Sequence, residues 1–278
     1  MIMVAIVSRA PRFSPNAEEK DKQLITLIRD YMQQSECSTF ALNEDDAVLL
    51  ADLHRVDCVL SMARSHQAIQ QLERFEAQGI SIYNSAKALL QYPTRESRLK
   101  RLKKANIPVP AYRSFEKDGN QRFKYPVWVK ASRLDTPGRH VKQIENRKEL
   151  YSFIASPQAA RIAYFSVERH IVGQQMKFYA IPSMDFYRIY VASQTNENIA
   201  PDCNDWEEID HLNSANAQLF QYVKDASSAF NLHFLGGDAI IDDKGVPHFF
   251  DINDFPSFSP CAQLAAKTIS DFLLSQEY

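Results

Sequence analysis

Three residues near the C-terminus have the types and spacing of a site for a hard metal ion. Asp238 precedes one apolar segment, Asp251 and Asn253 end the next, and the turn-forming residues Asp243-Lys244-Gly245 separate the two segments. A hairpin would bring the three side chains together, and residues two apart on a strand project from the same face. Carboxylate and amide oxygens suit Mg²⁺, and carboxylates among apolar neighbours are costly to bury without a partner. The alternative is that these residues only cap turns.

Two lysines in strand-like segments are candidates to bind phosphates, which often accompany such a metal ion. Lys130 ends the segment YPVWVK, and Lys177 lies in QMKFYAI, where a charge among aromatic residues needs an explanation. For Lys177 the alternative is a strand residue that faces solvent. The segment ASRLDTPGRHV after Lys130 contains Pro137, Gly138 and basic residues, and we expect it to cover the phosphates.

The elements of the N-terminal region alternate between apolar, β-branched segments and segments of helical periodicity. This alternation predicts parallel βαβ units and an α/β fold. The predicted strands are 3–7, 38–42, 58–62 and 80–83, and the predicted helices are 18–33, 45–53 and 67–78. No GxGxxG motif follows the first strand, so we do not expect a dinucleotide-binding turn in this region, and a nucleotide would bind elsewhere in the chain.

The pattern changes after Pro110 and predicts antiparallel strands, as in an α+β unit that carries the nucleotide site. The predicted strands are 127–130, 163–171, 176–181, 186–192, 237–242 and 247–252, and the predicted helices are 145–155, 214–230 and 261–274. A basic helix at 94–105 comes before them, and its lysines and arginines are equally compatible with a solvated face.

Composition excludes several classes of partner. Of the 278 residues 45% are hydrophobic, and 32 Lys and Arg against 34 Asp and Glu leave a net charge of -2, so no basic field favours nucleic acid or anionic membrane. No apolar run is long enough for a membrane span, and the N-terminal run is short for a signal peptide. The four cysteines form no CxxC pair, and we expect buried free thiols. We therefore expect a cytoplasmic protein, monomeric or homodimeric, with no membrane or nucleic-acid partner.

Four segments of the sequence, in order and at similar spacing, resemble those of ATP-grasp enzymes. They are NSAKALLQYPTRESRLKRLKKANIPVP, YPVWVK, VERHIVGQQMKFYAI and GGDAIIDDKGVPHFFDINDFPSF. The resemblance runs from about Asn84 to the C-terminus, and the preceding βα region takes the place of the usual small N-terminal domain. It implies an N-terminal βαβ domain at 1–92 and an ATP-grasp domain at 93–278, the latter divided into 111–167 and 168–278. It also implies the use of ATP and Mg²⁺.

The same resemblance implies a role for each residue of the nucleotide site. Lys130 looks like the strand lysine that binds the α and β phosphates, and Arg95 stands where many members have another basic contact. One segment resembles the hinge that meets the adenine, and it comprises Glu168, Arg169, His170 and Ile171.

The resemblance further assigns the catalytic and metal-binding residues. Lys177 resembles a basic residue that reaches ATP or the acceptor, and Asp238, Asp251 and Asn253 match the metal ligands of the family. Arg188, in DFYRIY, would point into the same cleft and stabilise developing charge. The alternative for Arg188 is a surface arginine.

Three functions stay open on this evidence. The favoured one is a carboxylate-amine ligase that forms an acyl phosphate and acts on an unidentified small-molecule acceptor. Such a ligase needs no covalent enzyme nucleophile, which agrees with the lack of a convincing Ser-His-Asp or Cys-His arrangement in the sequence. A kinase for a polyol or sugar phosphate is the first alternative, because Asp251-Ile252-Asn253 departs from the Glu-x-Asn of many ligases and resembles the inositol polyphosphate kinase branch. Basic residues for its anionic acceptor would be Arg95, Arg98, Arg133, Arg139, His140 and Lys142. A nucleotide-binding module without catalysis is the second alternative.

Overall fold

The N-terminal part of the chain forms a parallel four-stranded sheet. The structure is a computed structural model that describes residues 2–14, 17–46, 53–117, 121–136, 140–193, 205–211 and 213–277. The strand order is β2-β1-β3-β4. The elements are β1 (Met3–Ser8), α1 (Glu18–Gln34), β2 (Ser38–Asn43), β3 (Cys58–Ser61), α2 (His66–Ala77), β4 (Ser81–Tyr83) and α3 (Ala86–Leu90). The predicted βαβ pattern is confirmed, except that most of the predicted helix 45–53 lies outside the described residues.

Both faces of this parallel sheet are buried, as the apolar sequence of β1 requires. Ala5 and Val7 pack into one core, while Val4 and Ile6 pack into another. Apolar side chains on both faces are typical of a parallel sheet covered by helices on each side.

A second sheet is antiparallel and has the strand order β11-β10-β9-β12-β13. Its strands are β9 (Gln174–Ile181), β10 (Phe186–Ala192), β11 (Trp206–Glu208), β12 (Leu235–Ile241) and β13 (Pro247–Asp254). Helices α6 (Ala217–Phe230) and α7 (Ala262–Leu274) follow β11 and β13. The predicted hairpin between β12 and β13 is confirmed.

A third sheet, also antiparallel, has the order β5-β8-β6-β7 and packs on helix α5 (Arg147–Ile154). Its strands are β5 (Tyr112–Glu116), β6 (Val127–Ala131), β7 (Val141–Ile144) and β8 (Tyr164–Arg169). The segment predicted as a phosphate cover, residues 131–141, connects β6 to the edge strand β7 and shares only its first and last residues with them, while residues 137–139 lie outside the described part. The sheet changes between Arg169 and Gln174, so the predicted division at 167/168 falls inside β8.

The basic helix α4 (Arg95–Lys104) joins the sheets. Thr94 caps it, accepting a hydrogen bond from Ser97 N. One of its basic residues is buried: Arg98 Nη1 donates to Ile252 O and, at 3.0 Å, to Asp254 Oδ1. The helix therefore anchors β13 and is not only a solvated face.

Two of the three apolar cores join the first sheet to the second. Ala5 and Val59 pack in the same core as Phe178 and Phe249. The third core belongs to the third sheet and includes Phe115. In the described part of the chain, no helix has the length and apolar character needed to cross a membrane.

Candidate functional site

An open cavity of about 430 Å³ lies where the three sheets meet. The first sheet and its loops contribute Arg9, Lys20 and Arg64, and the segment after β6 contributes Arg133. Residues of the second sheet that line the cavity include Lys177, Tyr179, Asp238, Asp251 and Asn253, and Arg95 lines it from α4. Five of the residues that sequence predicted for the site are therefore brought to one cavity, namely Arg95, Lys177, Asp238, Asp251 and Asn253.

Strand register places Asp238 between a lysine and a second carboxylate. On β12, Asp238 is opposite Lys177 of β9 on one side and opposite Asp251 of β13 on the other. Side chains directly opposite each other in an antiparallel pair lie about 5 Å apart at Cβ. The three side chains thus form a row across the sheet.

A β-bulge in β13 decides which residues of this strand face the cavity. Asp238 pairs with Asp251, but Ala239 pairs with Phe249, which leaves Phe250 as the extra residue. The bulge lets Phe249 and Ile252 both enter the apolar core while Asp251 and Asn253 line the cavity. Simple alternation would have turned Phe249 to the side of Asp251.

Gly237 permits the close approach of strands beside this row. A Cβ there would lie 2.3 Å from Asp251 O and 2.6 Å from Cε1 of the Phe178 ring. A larger residue would therefore displace β13 at the candidate metal ligand.

The electrostatics of Asp238 and Asp251 differ because their partners differ. Burial raises the pKa of Asp238 to about 6, and the nearby charge of Asp251 adds to this effect, against the opposing charge of Lys177. Burial also acts on Asp251, but Arg95 and Lys130 outweigh it and lower the pKa of that carboxyl. Within the described residues, no cationic side chain forms an ion pair with Asp238.

These carboxylates fit a divalent cation. Two facing carboxylates, one of them without an ion-pair partner among the described residues, would be relieved of mutual repulsion by such an ion. Asn253 adds an amide oxygen on the same cavity wall. No group of three His, Cys, Asp or Glu side chains in the described ranges is arranged to hold a metal, so a bound ion would take its remaining ligands from substrate or water.

Arg95 connects α4, the third sheet and the candidate metal ligand. Its Nη1 donates to Asp251 Oδ1 at 2.9 Å, and its Nε donates to Ala131 O at 3.2 Å. The side chain is therefore held in one orientation at the edge of the cavity.

Lys130 lies in the cleft between the second and third sheets and outside the lining of the cavity. Its Nζ donates to Glu168 Oε2 at 2.6 Å and lies 4.7 Å from the centroid of the Phe250 ring. Burial raises the pKa of Glu168, and the charge of Lys130 partly offsets this. The bulge residue Phe250 thus packs on the lysine that was predicted to bind phosphate.

The predicted hinge residues divide between the two faces of β8. Glu168 is opposite Trp128, and Trp128 Nε1 donates to His170 Nδ1 at 3.0 Å. Arg169, the next residue on the strand, projects to the other face and is exposed. Ile171 follows the strand and is partly buried. Glu168 and His170 therefore lie on the cleft side, whereas the side chain of Arg169 does not.

Arg188 is not among the residues that line the cavity, although it lies opposite the lining residue Tyr179 of β9. Its Nε pairs with Glu208 Oε1 at 3.0 Å, and its guanidinium lies 4.9 Å from the centroid of the Phe186 ring. The facing strand β11 supplies Glu208, a partner that sequence alone did not identify. Lys177, by contrast, lines the cavity and has its Nζ 4.6 Å from the centroid of the Trp206 ring.

This difference predicts opposite outcomes for two similar substitutions. Lys177→Gln should lower ATP turnover by about tenfold or more, because it removes the cation that lies opposite Asp238 in the cavity. Arg188→Gln should change turnover by less than about threefold. Steady-state kinetics of both purified variants check this, and a larger loss for Arg188→Gln would restore its predicted catalytic role.

Several residues at the cavity were missed by sequence reasoning. Arg9 follows β1 and Arg64 follows β3, so the rule that ligands bind beyond the carboxyl ends of parallel strands could have identified them. Lys20 and Tyr179 also line the cavity. Burial, followed by the charge of Asp238, raises the pKa of the Tyr179 phenol, which keeps it protonated as a hydrogen-bond donor.

The six basic residues considered for a kinase acceptor converge only in part. Arg95, Arg133 and His140 line the cavity, and Arg133 pairs with Asp135 at 2.7 Å. Lys142 pairs with Glu149 at 2.9 Å on the outer part of the third sheet. Arg98 is occupied by Asp254, and Arg139 lies outside the described residues.

Solved structures of ligases share this fold. A D-alanine–D-alanine ligase from Bacillus anthracis complexed with ATP matches with a TM-score of 0.76 and 12% identity, over 99% of this chain and 96% of that chain. VanG D-Ala:D-Ser ligase from Enterococcus faecalis matches with a TM-score of 0.72 and 14% identity, over 98% of each chain. An L-amino acid ligase from Bacillus licheniformis matches with a TM-score of 0.69 and 13% identity, over 97% of this chain and 74% of that chain. No protein-family model and no curated protein sequence matches the chain.

Proposed function

We propose that this chain, which has the ATP-grasp fold, is a Mg²⁺-dependent ligase that uses ATP to activate a small carboxylic acid as an acyl phosphate and then joins it to an amine. The observation that carries this proposal is the convergence of Arg95, Lys177, Asp238, Asp251 and Asn253 on one open cavity. The names of the structural relatives, all ligases, support the same class of reaction.

The chemistry needs charge neutralisation more than it needs an enzyme nucleophile. A carboxylate oxygen of the substrate attacks the γ-phosphorus of ATP, and ADP leaves. The amine then attacks the acyl carbon and loses a proton, and the phosphate leaves with the bond electrons and takes up that proton as inorganic phosphate. Bound Mg²⁺ would neutralise phosphate oxygens in these steps. The reaction therefore requires cations and metal-binding oxygens around a dry cavity.

The residues of the chain divide these tasks by position. Asp238, Asp251 and Asn253 would hold Mg²⁺, and Arg95 orients Asp251 through its hydrogen bond. Lys130, on the cleft face of the third sheet, would bind phosphate oxygens, with Glu168 holding its ammonium in place. Lys177 lies beside Asp238 and would neutralise charge at the transferred phosphoryl group.

The hinge segment supports an adenine site at the end of β8. The backbone N–H groups of Arg169 and His170 already donate to Ala111 O and Pro126 O. Trp128 and His170 offer ring surfaces beside Glu168 on which a base can stack. We propose Glu168, His170 and Ile171 as the adenine-facing residues. The side chain of Arg169 is not part of this proposal.

The test is a search for the activated acid itself. The protein is incubated with ATP, Mg²⁺ and a metabolite extract, with and without hydroxylamine, and products are identified by mass spectrometry. Hydroxylamine converts an acyl phosphate into a hydroxamate, so a hydroxamate formed only with active protein supports the ligase. The Asp251→Asn variant is the control for contaminating activities.

Two results would contradict the proposal. A phosphorylated product that is stable to hydroxylamine would indicate a kinase acting on a hydroxyl group. Binding of ATP without consumption in any extract would indicate a nucleotide-binding module.

A further inference from the structure

The wall of the cavity that comes from the first sheet carries cations that the proposed ATP and metal sites do not use. Arg9, Lys20 and Arg64 line the cavity on this side, and Asp21 is the carboxylate that lines it with them. Asp238, Asp251 and Asn253 line the same cavity from the second sheet. We call these two groups the cationic side and the metal-binding side of the cavity; they adjoin at Arg64, whose charge contributes to the lowered pKa of Asp251.

Arg9 is neutralised by contacts within the protein. Its Nε lies 3.0 Å from Asp21 Oδ2, and its Nη2 donates to Phe255 O at 2.6 Å. Burial and then the positive charge of Arg64 lower the pKa of Arg9. Arg9 is therefore held in place by these contacts, and it lies close to Arg64, a second cation with fewer compensating contacts.

Arg64 has only partial compensation. Its Nη2 lies 3.4 Å from Asp254 Oδ1, and the same oxygen accepts from Arg98 at 3.0 Å. The Nε atoms of Arg9 and Arg64 are both buried without a hydrogen-bond partner, but only that of Arg9 lies at ion-pair distance from a carboxylate. One carboxylate is therefore shared between two guanidinium groups, which leaves positive charge at Arg64.

The other nearby carboxylate, Glu44, is occupied by the backbone. Its Oε1 accepts from Ala10 N at 2.6 Å, and its Oε2 accepts from Arg64 N at 2.9 Å and from Ser65 N at 2.7 Å. These three amide hydrogen bonds fix the loops after β1 and β3. The side chain of Glu44 does not hold the guanidinium of Arg64.

Lys20 completes the cationic side. It is exposed at the start of α1 and lines the cavity, and no carboxylate of the described residues forms an ion pair with it. Lys22, two residues later, is instead paired with Glu18 at 3.3 Å and with Glu19 at 2.9 Å. The helix therefore offers one unpaired lysine to the cavity and one paired lysine away from it.

We propose that Lys20 and Arg64 bind a second anionic group, carboxylate or phosphate, of the substrate whose first carboxylate is activated at the metal-binding side. This inference rests on the proposed function and specifies its substrate class: an organic acid that carries at least two anionic groups. A substrate of this kind spans the cavity from the first sheet to β12 and β13. The same two cations exclude substrates with a positively charged group at that position.

The probes are inorganic phosphate and malonate, titrated by calorimetry into protein saturated with MgADP so that the nucleotide contacts are filled. At least one probe should bind, and Lys20→Gln and Arg64→Gln should each weaken that binding by about tenfold. Lys22→Gln is the matched control on the same helix and should bind like the wild type. MgADP affinity should be unchanged in all three variants.

Each outcome decides the inference. Binding of phosphate alone indicates a phosphorylated acid, and binding of malonate indicates a dicarboxylic acid. If neither probe binds, or if Lys20→Gln binds them as the wild type does, the inference is wrong. Because Lys20 is exposed, a folding defect would not explain its loss of binding. Anion binding without ATP consumption would overturn the proposed function and leave the anion site intact. ATP consumption without anion binding would overturn only the inference.

Discussion

Asp251→Asn is expected to lower Mg²⁺-dependent ATP turnover by roughly 10²- to 10³-fold. The amide keeps the shape of the side chain but removes the negative charge that faces Asp238 and pairs with Arg95. Mg²⁺ would then meet a site with one carboxylate, while the positive charge of Arg95 remains beside it. We expect the Mg²⁺ concentration for half-maximal turnover to rise and the maximal rate to fall.

The measurement is steady-state ADP release at several Mg²⁺ concentrations, with thermal unfolding to check the fold. Asp243→Asn is the matched control, because it removes an exposed carboxylate from the turn of the same hairpin. It should leave turnover unchanged. Turnover of Asp251→Asn equal to that of the wild type would show that this carboxylate does not bind the metal.

Lys130→Ala is expected to weaken ATP binding by about 10- to 100-fold and also to destabilise the protein. Lys130 and Glu168 are both buried and lie 2.6 Å apart. Removing the lysine leaves a buried carboxylate without its main partner, which costs about 3–5 kcal/mol of unfolding free energy. A loss of affinity in this variant alone could therefore reflect the loss of stability.

The double variant Lys130→Met, Glu168→Gln separates the two effects. It removes both charges and keeps similar volumes, so most of the unfolding free energy should be recovered. ATP affinity should stay low if Lys130 binds phosphate. Calorimetric ATP titration and denaturant unfolding of the single and double variants give both quantities, and wild-type ATP affinity in the double variant would refute the phosphate role.

Local patterns in the sequence were enough to identify most elements and the central residues of the candidate site. The apolar run at β1, the helical periodicity of α1 and the turn Asp243-Lys244-Gly245 each predict a structure that forms over a few residues. Alternation along a strand also places Asp251 and Asn253 on one face. These features depend on neighbours in the chain, so a single sequence contains them.

Contacts between elements distant in the chain could not be predicted in this way. The ion pair of Arg188 with Glu208 was not predicted, because strand β11, which supplies Glu208, was not recognised. The bulge at Phe250, which turns that ring to Lys130, depends on the register of β13 against β12. The buried ion pair of Glu168 with Lys130, which joins two strands of the third sheet, was not predicted either.

The sequence by itself predicted the type of chemistry, because side-chain oxygens suited to a metal ion and lysines within apolar strands are local features, here of Asp238, Asp251, Asn253, Lys130 and Lys177. Only the tertiary structure decided what faces them. The first sheet shares its apolar cores with the second, and this packing brings Arg64 and Lys20 to the cavity. The physical reason is that apolar burial is not directional: it drives the sheets together, whereas the polar residues that then meet are set by the packed geometry of the whole chain.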